Sequence, residues 1–134
     1  MPHFLSVANV LRLHEMSIER FGGSPGVRDA GLLESAVAMP QASYGGTYLH
    51  ENLFAMTAAY LFHISQAHAF VDGNKRTALA AALTFATLNG VRINAGDDEL
   101  IEICLGVAAG EIGKDELTRR LRAVLLLSRK KQRP

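Results

Sequence analysis

The stretch that decides the fold reads ENLFAMTAAYLFHISQ at residues 51–66, AHAFVDG at 67–73 and NKRTALAAALTFATLN at 74–89. The first segment is apolar on nearly every side, which is typical of a helix in the centre of a small protein. The third segment has helical periodicity and a run of alanines that suits close packing between helices. Two central helices joined by a short polar loop predict an all-α fold.

Four more helices are predicted around this pair, which gives a compact bundle of about six helices. Ser6 is a suitable cap for a first helix over residues 7–21. Asp29 can cap a second helix over residues 30–39, which Pro40 would stop. The remaining signals are an extended connector at 91–94, an acidic helix start at 97–99 and a last amphipathic helix after Gly113 that carries Leu117, Leu121, Val124 and Leu125.

A short hairpin is predicted between the second and third helices. Gly45-Gly46 stands between Tyr44 and Tyr48 within the loop-like residues 41–50. A glycine pair between β-favouring residues is typical of a tight turn that joins two strands. Ordinary packing of the two tyrosines in a loop is the alternative interpretation.

The composition is that of one globular domain. The chain has 134 residues, of which 49% are hydrophobic and 20% charged, so it can form one core but not two stable ones. It contains no run of about 18 apolar residues that could span a membrane, and residues 1–4 do not resemble a signal peptide. A single cysteine, Cys104, excludes an internal disulfide and a cysteine zinc site. We therefore expect a cytoplasmic protein without a membrane segment, in which Cys104 is a small buried hydrophobic residue.

The formal net charge of +1 conceals two regions of opposite charge. Residues 129–134 hold four of the 14 lysines and arginines, so the 10 others face 13 acidic residues and residues 1–128 carry a net charge of −3. We assign residues 1–128 to the domain and residues 129–134 to a basic tail. No aromatic residues interleave with the tail's cations to stack on bases, which favours a solvated end over a nucleic-acid site.

Five polar or charged side chains gather between the two central helices and at the start of the second. They are His68, Asp72, Asn74, Lys75 and Arg76. Such groups are costly near a core unless they are paired or used, so their placement predicts a functional site. Residues 73–76, which we call the phosphate cradle, would form a first helical turn whose free N–H groups and positive dipole end bind anions.

His68 and Asp72 would complete a site for phosphoryl chemistry. Histidine is the side chain that most often acts as a general base, so His68 could take a proton from an attacking hydroxyl. A carboxylate such as Asp72 beside phosphate oxygens is the usual partner of Mg²⁺. Each residue also has a structural interpretation: a hydrogen-bonded histidine, a helix-capping aspartate, and solvated cations at Lys75 and Arg76. The sequence has neither the spacing of a Walker P-loop nor a G-x-G-x-x-G turn after a strand, which excludes those nucleotide-binding folds.

The loop resembles the signature of the Fic/Doc family, HxFx(D/E)GNGRxxR, at six positions. The matching residues are His68, Phe70, Asp72, Gly73, Asn74 and Arg76. Two departures, Lys75 in place of Gly and Leu79 in place of the second Arg, are features of the death-on-curing (Doc) branch, whose motif continues as NKRTAL. Residues 20–26, RFGGSPG, are similar to the RYGGxPG stretch of that branch. The resemblance covers nearly the whole chain except the tail.

The resemblance implies a role for each residue of the site. His68 would be the general base toward a protein hydroxyl, and Asp72 would help to hold Mg²⁺. Residues 43–50, which we call the flap and which include Tyr44 and Tyr48, would align the chain of the target protein, for example by backbone pairing. The phosphates of ATP would be held by Gly73, Asn74, Lys75 and Arg76.

The departure at Leu79 bears on the reaction. Family members that transfer AMP use the second Arg to hold the γ-phosphate, whereas the Doc branch delivers the γ-phosphoryl group as a kinase. The resemblance therefore implies a toxin of a toxin–antitoxin system that phosphorylates a threonine of elongation factor Tu and arrests growth. AMP transfer is the alternative within the family. A catalytically inactive binding module is an alternative of another class, disfavoured because His68 and Asp72 are both present.

The resemblance also implies a separate inhibitor. Many Fic enzymes carry an inhibitory helix with a Ser or Thr, a Glu four residues later and then Gly or Asn. Thr47, Glu51 and Asn52 fit this string, but helix-start chemistry is the simpler explanation of their position. We therefore expect an antitoxin of the Phd type, which would place a helical segment in an apolar groove.

Overall fold

The computed structural model describes residues 2–127, which form six α-helices and two pairs of short antiparallel strands. This architecture confirms the predicted all-α bundle of about six helices with a short hairpin. The helices are α1 (Val7–Phe21), α2 (Ala30–Ala38), α3 (Leu53–Ala67), α4 (Asn74–Leu88), α5 (Asp97–Ala108) and α6 (Lys114–Val124). The strands are β1 (Ser43–Tyr44), β2 (Thr47–Tyr48), β3 (Val91–Ile93) and β4 (Leu125–Leu127).

The core is built around α3 and α4, as the sequence predicts. Side chains are buried on nearly every side of α3, and Tyr60 at its middle is completely buried. The Tyr60 hydroxyl accepts a hydrogen bond from the Leu5 N–H at 2.8 Å, which ties the N-terminal segment to α3. Ala78, Ala81 and Ala82 are buried on α4, where their small size lets helices approach closely. The loop between these two helices, residues 68–73, therefore begins and ends on the helices that form the core.

Side-chain caps set the starts of the first three helices. Ser6 and Asp29 cap α1 and α2 as predicted. The third helix begins two residues after the predicted start at Glu51, because Asn52 accepts a hydrogen bond from the Ala55 N–H at 2.9 Å and so takes the cap position. The role of Asn52 is therefore in helix-start chemistry, the simpler of its two interpretations.

The end of α2 is more gradual than predicted. The helix gives way after Ala38 to a 3₁₀ turn at Met39–Gln41, so the helical path continues through Pro40 instead of stopping before it. Proline is tolerated there because it falls in the first turn of the new segment, where its missing N–H would have no partner. At the end of α4, Gly90 takes the predicted left-handed conformation, with φ of 82°.

The end of α6 differs from the prediction. Leu125, predicted to lie in the last helix, begins β4, which pairs antiparallel with β3 so that Val91 faces Leu127. The predicted connector at 91–94 is therefore mostly a strand. Pairing buries Leu125 and gives the backbone groups of both segments hydrogen-bond partners, which a continued helix would not provide for β3.

The N-terminal segment meets the C-terminal end of α4. The Asn89 side chain accepts a hydrogen bond from the His3 N–H at 2.7 Å and donates one to the His3 carbonyl at 3.0 Å. None of the helices within residues 2–127 combines the length and the apolar character needed to cross a membrane. Residues 128–134, with the predicted basic tail, lie outside the described residues.

Candidate active site

The loop between α3 and α4 lines an open pocket of about 410 Å³, which we call the His68 pocket. Its wall also includes Ser65, Val71 and Ala108, which the sequence reasoning did not single out. The structure thus brings the candidate base, the candidate metal ligand and the phosphate cradle to one cavity. The six predicted residues that line it are His68, Asp72, Gly73, Asn74, Lys75 and Arg76.

His68 ends α3 in a left-handed conformation, with φ of 50° and ψ of 42°. Among residues 2–127 it is the one non-glycine residue with a positive φ. Such a conformation costs on the order of 1–2 kcal/mol for a residue that has a Cβ, so the surroundings must hold it. Its side chain is exposed at the pocket, where a proton acceptor needs to be. This turn could not be predicted from the sequence, because left-handed helix ends usually carry glycine.

The connection between α1 and α2, residues 22–29, lies beside the loop and pairs with its backbone. The Val71 N–H donates to the Gly26 carbonyl at 3.1 Å, and the Arg28 N–H donates to the Ala69 carbonyl at 2.7 Å. These backbone bonds hold the loop in the way that one strand of a sheet holds its neighbour. The segment that resembles the RYGGxPG stretch is therefore part of the scaffold of the site.

Phe70 and His14 fix the loop from the inside. The Phe70 ring is only 1% exposed and stacks on the His14 ring with 3.9 Å between centroids. His14 Nε2 lies 2.8 Å from the Asp72 carbonyl oxygen, so that nitrogen carries the proton and donates it in a hydrogen bond. The sequence predicts that His14 is structural, and the structure gives the reason: it supports the backbone on which Asp72 stands.

The phosphate cradle is the first turn of α4. The first hydrogen bond of that helix runs from the Thr77 N–H to the Gly73 carbonyl at 3.0 Å, so the N–H groups of residues 74–76 have no partner inside the helix. Lys75 and Arg76 are exposed and add two positive charges to the positive end of the helix dipole. The turn is therefore suited to bind an anion with several oxygens.

Three members of the cradle have hydrogen bonds that restrict how they could bind an anion. The Gly73 N–H already donates to Asp72 Oδ1 at 2.8 Å. The Asn74 side chain bonds to both backbone groups of Phe70, which leaves its backbone N–H for an anion. One terminal N–H₂ group of Arg76 donates to the Gly22 carbonyl at 3.5 Å. The available donors are thus the N–H groups of residues 74–76, the Lys75 side chain and the remaining donors of Arg76.

Asp72 is an ionised carboxylate at the edge of the cradle. Its Oδ2 accepts a hydrogen bond from the Ser24 N–H at 3.1 Å, and this bond, the one from Gly73 and the nearby Arg76 guanidinium lower the pKa of Asp72 below its usual value. The N-cap position of α4 belongs to Gly73, so Asp72 is not the cap of that helix. Gly23 passes so close that a Cβ there would lie 2.7 Å from Asp72 Oδ2.

The donor set at Asp72 fits a magnesium ion bound together with phosphates. The carboxylate is charged and exposed, and each of its oxygens keeps a free lone pair beside its one hydrogen bond. In residues 2–127 no three His, Cys, Asp or Glu side chains are grouped to hold a metal ion by themselves. Mg²⁺ commonly takes one or two carboxylates and completes its shell with substrate phosphates and water, which matches a single aspartate next to the cradle.

The two tyrosines of the flap differ in their exposure to solvent. Tyr44 is 84% exposed, whereas the Tyr48 ring packs edge-on against Phe4 with 5.6 Å between centroids. The strands pair with Tyr44 opposite Thr47 and Ser43 opposite Tyr48. In the described part of the chain, neither tyrosine lines the His68 pocket. Ordinary packing accounts for Tyr48, while Tyr44 is free to meet another chain.

Leu79 and Cys104 both lie in apolar surroundings. Leu79 is partly buried and packs against the hydrophobic core, so the position that holds the second Arg in the family signature carries no cation here. Cys104 is 5% exposed, as predicted for a small buried residue, and its Sγ lies 3.4 Å from the Lys75 carbonyl oxygen. Burial raises the pKa of the Cys104 thiol, which keeps it protonated.

A second polar cluster joins the flap to the last helix. The Lys114 ammonium lies 3.1 Å from His50 Nε2 and 2.9 Å from His63 Nε2, so both imidazoles accept from it and are neutral. Burial, the Lys114 charge and His50 lower the pKa of His63 to about 4. Burial and the Lys114 charge also lower the pKa of His50. His63 is therefore a structural residue, and His50 shares its role.

Comparison with known proteins agrees with this geometry. The model of the Fic/DOC family matches residues 4–86, which include the whole loop and the start of α4. "Protein kinase doc" of Escherichia phage P1 is 36% identical over 118 residues, which is 88% of this chain and 92% of that protein. "Toxin Doc" of Mycolicibacterium smegmatis is 51% identical over 98 residues, 73% of each chain. The protein is thus a member of the Fic/DOC family and of its Doc branch.

Proposed function

We propose that this chain transfers the γ-phosphoryl group of ATP to a threonine hydroxyl of elongation factor Tu in the cytoplasm, and that it thereby arrests growth. Membership of the Doc branch supports the coarser statement, a toxin that is a protein-modifying transferase. The donor, the target protein and the outcome are the proposal. The name of one relative, a protein kinase, supports the choice of reaction.

The observation that carries the proposal is the shared pocket of His68 and the phosphate cradle. The imidazole is exposed at the same cavity as the free N–H groups at the start of α4. A proton acceptor beside an anion site is what phosphoryl transfer to a hydroxyl requires, because this chemistry depends mainly on positioning and on neutralising charge.

In the proposed step, His68 takes the proton of the threonine hydroxyl while the threonine oxygen forms a bond to the γ-phosphorus. The bond from the γ-phosphorus to the bridging oxygen breaks, and ADP leaves with that electron pair. Lys75, Arg76 and the N–H groups of residues 74–76 hold the phosphate oxygens throughout. Asp72 would hold Mg²⁺, which when bound supplies further neutralisation of the phosphate charge.

Leu79 favours transfer of the γ-phosphoryl group over transfer of AMP. Holding the γ-phosphate so that the α-phosphorus faces the base needs a cation one turn into α4, and an apolar side chain packed on the core stands there. Without that cation, the N–H groups and cations of the cradle are the strongest anion site in the pocket. This arrangement favours binding of ATP with its terminal phosphates, and so the γ-phosphorus, next to His68.

An antitoxin of the Phd type is part of the proposal. The string Thr47, Glu51 and Asn52 does not form an inhibitory helix, because Thr47 lies in β2 and Asn52 caps α3. An inhibitor supplied by another chain would then restrain the toxin. Membership of the Doc branch and the name of one relative, a toxin, support an antitoxin partner in general.

The direct test is transfer of label from ATP to elongation factor Tu. Purified chain is incubated with that protein, Mg²⁺ and ATP labelled at either the α or the γ phosphorus. We expect label from the γ position only, and a loss of about 10²- to 10⁴-fold in His68→Ala if the imidazole is the general base. His3→Ala is the matched control, since His3 lies at the far end of α4.

The other outcomes are equally informative. Label from the α position would replace the kinase proposal by AMP transfer. No label from either position, together with His68→Ala as toxic in cells as wild type, would remove the enzyme proposal and leave a binding module. If elongation factor Tu takes no label but other proteins of a cell lysate take it from the γ position, the reaction stands and the target changes.

A further inference from the structure

We infer that Arg28 is a positioning residue that holds His68 in its left-handed conformation and so directs the imidazole into the His68 pocket. The inference rests on the proposed role of His68 as the general base. The family signature does not include this arginine, which lies 40 residues before His68. Its importance comes from the contacts that it makes with the loop.

Arg28 binds the backbone of His68 through its side chain. The guanidinium Nε donates to the His68 carbonyl oxygen at 3.0 Å, and a terminal N–H₂ group of the same guanidinium donates to that oxygen as well. Two donors of a rigid planar group on one acceptor restrict the orientation of the carbonyl more than a single bond does. Because the orientation of this carbonyl is set by ψ of His68, the contact acts on the backbone conformation itself.

The backbone of Arg28 is itself held by hydrogen bonds. Its backbone N–H donates to the Ala69 carbonyl at 2.7 Å, and the Asp29 N–H donates to the same carbonyl at 3.0 Å. Arg28 therefore binds two consecutive carbonyls of the loop, one through its backbone and one through its side chain. These backbone bonds keep the start of the Arg28 side chain next to the carbonyl that the guanidinium binds.

The charge of Arg28 also suits its position. His68 is the C-cap of α3, where the last carbonyls of a helix lack intrahelical partners and the dipole end is negative. A cation that donates to one of these carbonyls stabilises the helix end in the place where glycine would normally ease the turn. This explains how a histidine can occupy a conformation that a Cβ disfavours.

The effect of Arg28 on the reaction would be separate from nucleotide binding. Arg28 is not among the residues that line the His68 pocket in the described chain. The phosphate cradle is placed by other bonds, those of Asn74 with Phe70 and of Asp72 with Ser24. Loss of Arg28 should therefore misdirect the imidazole and leave the phosphate site in place.

The first test compares the kinetics of Arg28→Ala, Arg28→Lys and Arg12→Ala in γ-label transfer. Arg12 is a matched control, since it is an exposed arginine whose partner is Glu15 on the same helix. We expect Arg28→Ala to lower kcat by roughly 10- to 100-fold, the effect of misplacing a reacting group, with KM for ATP changed by less than about 2-fold. Arg28→Lys should be intermediate, and added guanidinium at a non-denaturing concentration should restore part of the kcat of Arg28→Ala only.

The second test needs no activity. Amide hydrogen exchange at Val71, which bonds to the Gly26 carbonyl, should become about 10-fold faster in Arg28→Ala because the loop opens locally, while exchange at Phe70, which is held by Asn74, and in the middle of α1 and α4 is unchanged. If wild type transfers no label but this local effect is seen, the proposed function fails and the positioning of the loop stands.

Two results would overturn the inference. One is a variant Arg28→Ala with wild-type kcat and wild-type exchange at Val71. The other is a fall in kcat that guanidinium does not restore, accompanied by faster exchange throughout α1 and α4, which would assign Arg28 to general stability.

Discussion

The Asn74 side chain makes two hydrogen bonds with the backbone of Phe70, donating to its carbonyl at 3.0 Å and accepting from its N–H at 2.9 Å. One amide thus closes the turn from the end of α3 to the start of α4. The side chain binds the protein's own backbone, and the anion site depends on it indirectly. A residue that a motif suggests as a ligand therefore acts first as a brace for the loop.

Replacing Asn74 should separate these two effects. Asn74→Ala loses both bonds and leaves the Phe70 backbone unpaired, so we expect the free energy of unfolding to fall by about 1–3 kcal/mol. Asn74→Asp keeps one acceptor but adds a negative charge to the cradle. We expect it to weaken nucleotide binding more than Asn74→Ala does, measured by calorimetry with ATP and Mg²⁺, with urea unfolding as the stability measurement. Equal ATP affinity in the two variants would argue against an anion site at this turn.

Gly23 should be sensitive to substitution for two reasons, its backbone conformation and its short distance from Asp72. Its φ is 114°, and a Cβ would lie 2.7 Å from Asp72 Oδ2, so Gly23→Ala must displace the carboxylate. Gly22→Ala is the matched control, because Gly22 also has a positive φ, 84°, but a Cβ there would meet nothing within 4 Å. Both should lose about 1–3 kcal/mol through backbone strain. Only Gly23→Ala should raise the Mg²⁺ concentration needed for ATP binding, and an equal requirement in both variants would contradict the role of Asp72.

The cluster of Lys114, His50 and His63 predicts a pH dependence of stability. The pKa of His63 is about 4 in the folded chain, below its ordinary 6.5, so the unfolded chain binds a proton between these values and the folded chain does not. Stability is therefore complete above pH 6.5 and falls as the pH decreases toward 4. Because His63 is only half-buried, solvent screening reduces the effect to roughly 1–2 kcal/mol between pH 7.5 and 5.

Urea unfolding at pH 7.5 and at pH 5 measures this dependence. His63→Gln removes the titrating group and keeps a side chain that can accept from Lys114, so the difference between the two pH values should shrink. His3→Gln, at an exposed histidine outside the cluster, should leave the difference unchanged. A difference that is the same in His63→Gln and in wild type would assign the acid sensitivity to other groups.

Leu79→Arg tests how position 79 influences the reaction. Leu79 is partly buried on α4, so a longer side chain can lie along the surface and place its charge in solvent. If the missing cation decides which phosphorus faces His68, the ratio of α label to γ label on the target should rise in this variant. Leu83→Arg, one turn further along α4 and also partly buried, is the control. An unchanged ratio in Leu79→Arg would mean that other contacts orient the nucleotide.

The sequence was sufficient for the parts of the structure that depend on local periodicity and on short motifs. The central pair α3 and α4, the caps at Ser6 and Asp29 and the left-handed Gly90 follow from residues close together in the chain. The loop of His68 and Asp72 could be found because its polar groups interrupt two buried helices. These features need no knowledge of the tertiary contacts.

The parts that sequence could not predict are those that depend on distant partners. Leu125 continues a helical pattern, but pairing with β3 makes it a strand. The left-handed turn at His68 depends on Arg28, and the backbone under Asp72 depends on His14, 58 residues away. No spacing rule relates these residues, because their proximity results from the packing of α1 and its connection against the loop.

The hydrogen bonds of His3 with Asn89 and the pairing of β4 with β3 have a practical consequence for experiments. Both place an end of the described chain at the same pole of α4, and this helix of 15 residues extends for about 22 Å from there to the phosphate cradle. A fluorophore or a surface tether attached at residue 3 or at residue 127 would leave the His68 pocket uncovered. The proposed binding of nucleotide, target or antitoxin can therefore be tested on the immobilised protein with the site facing solution.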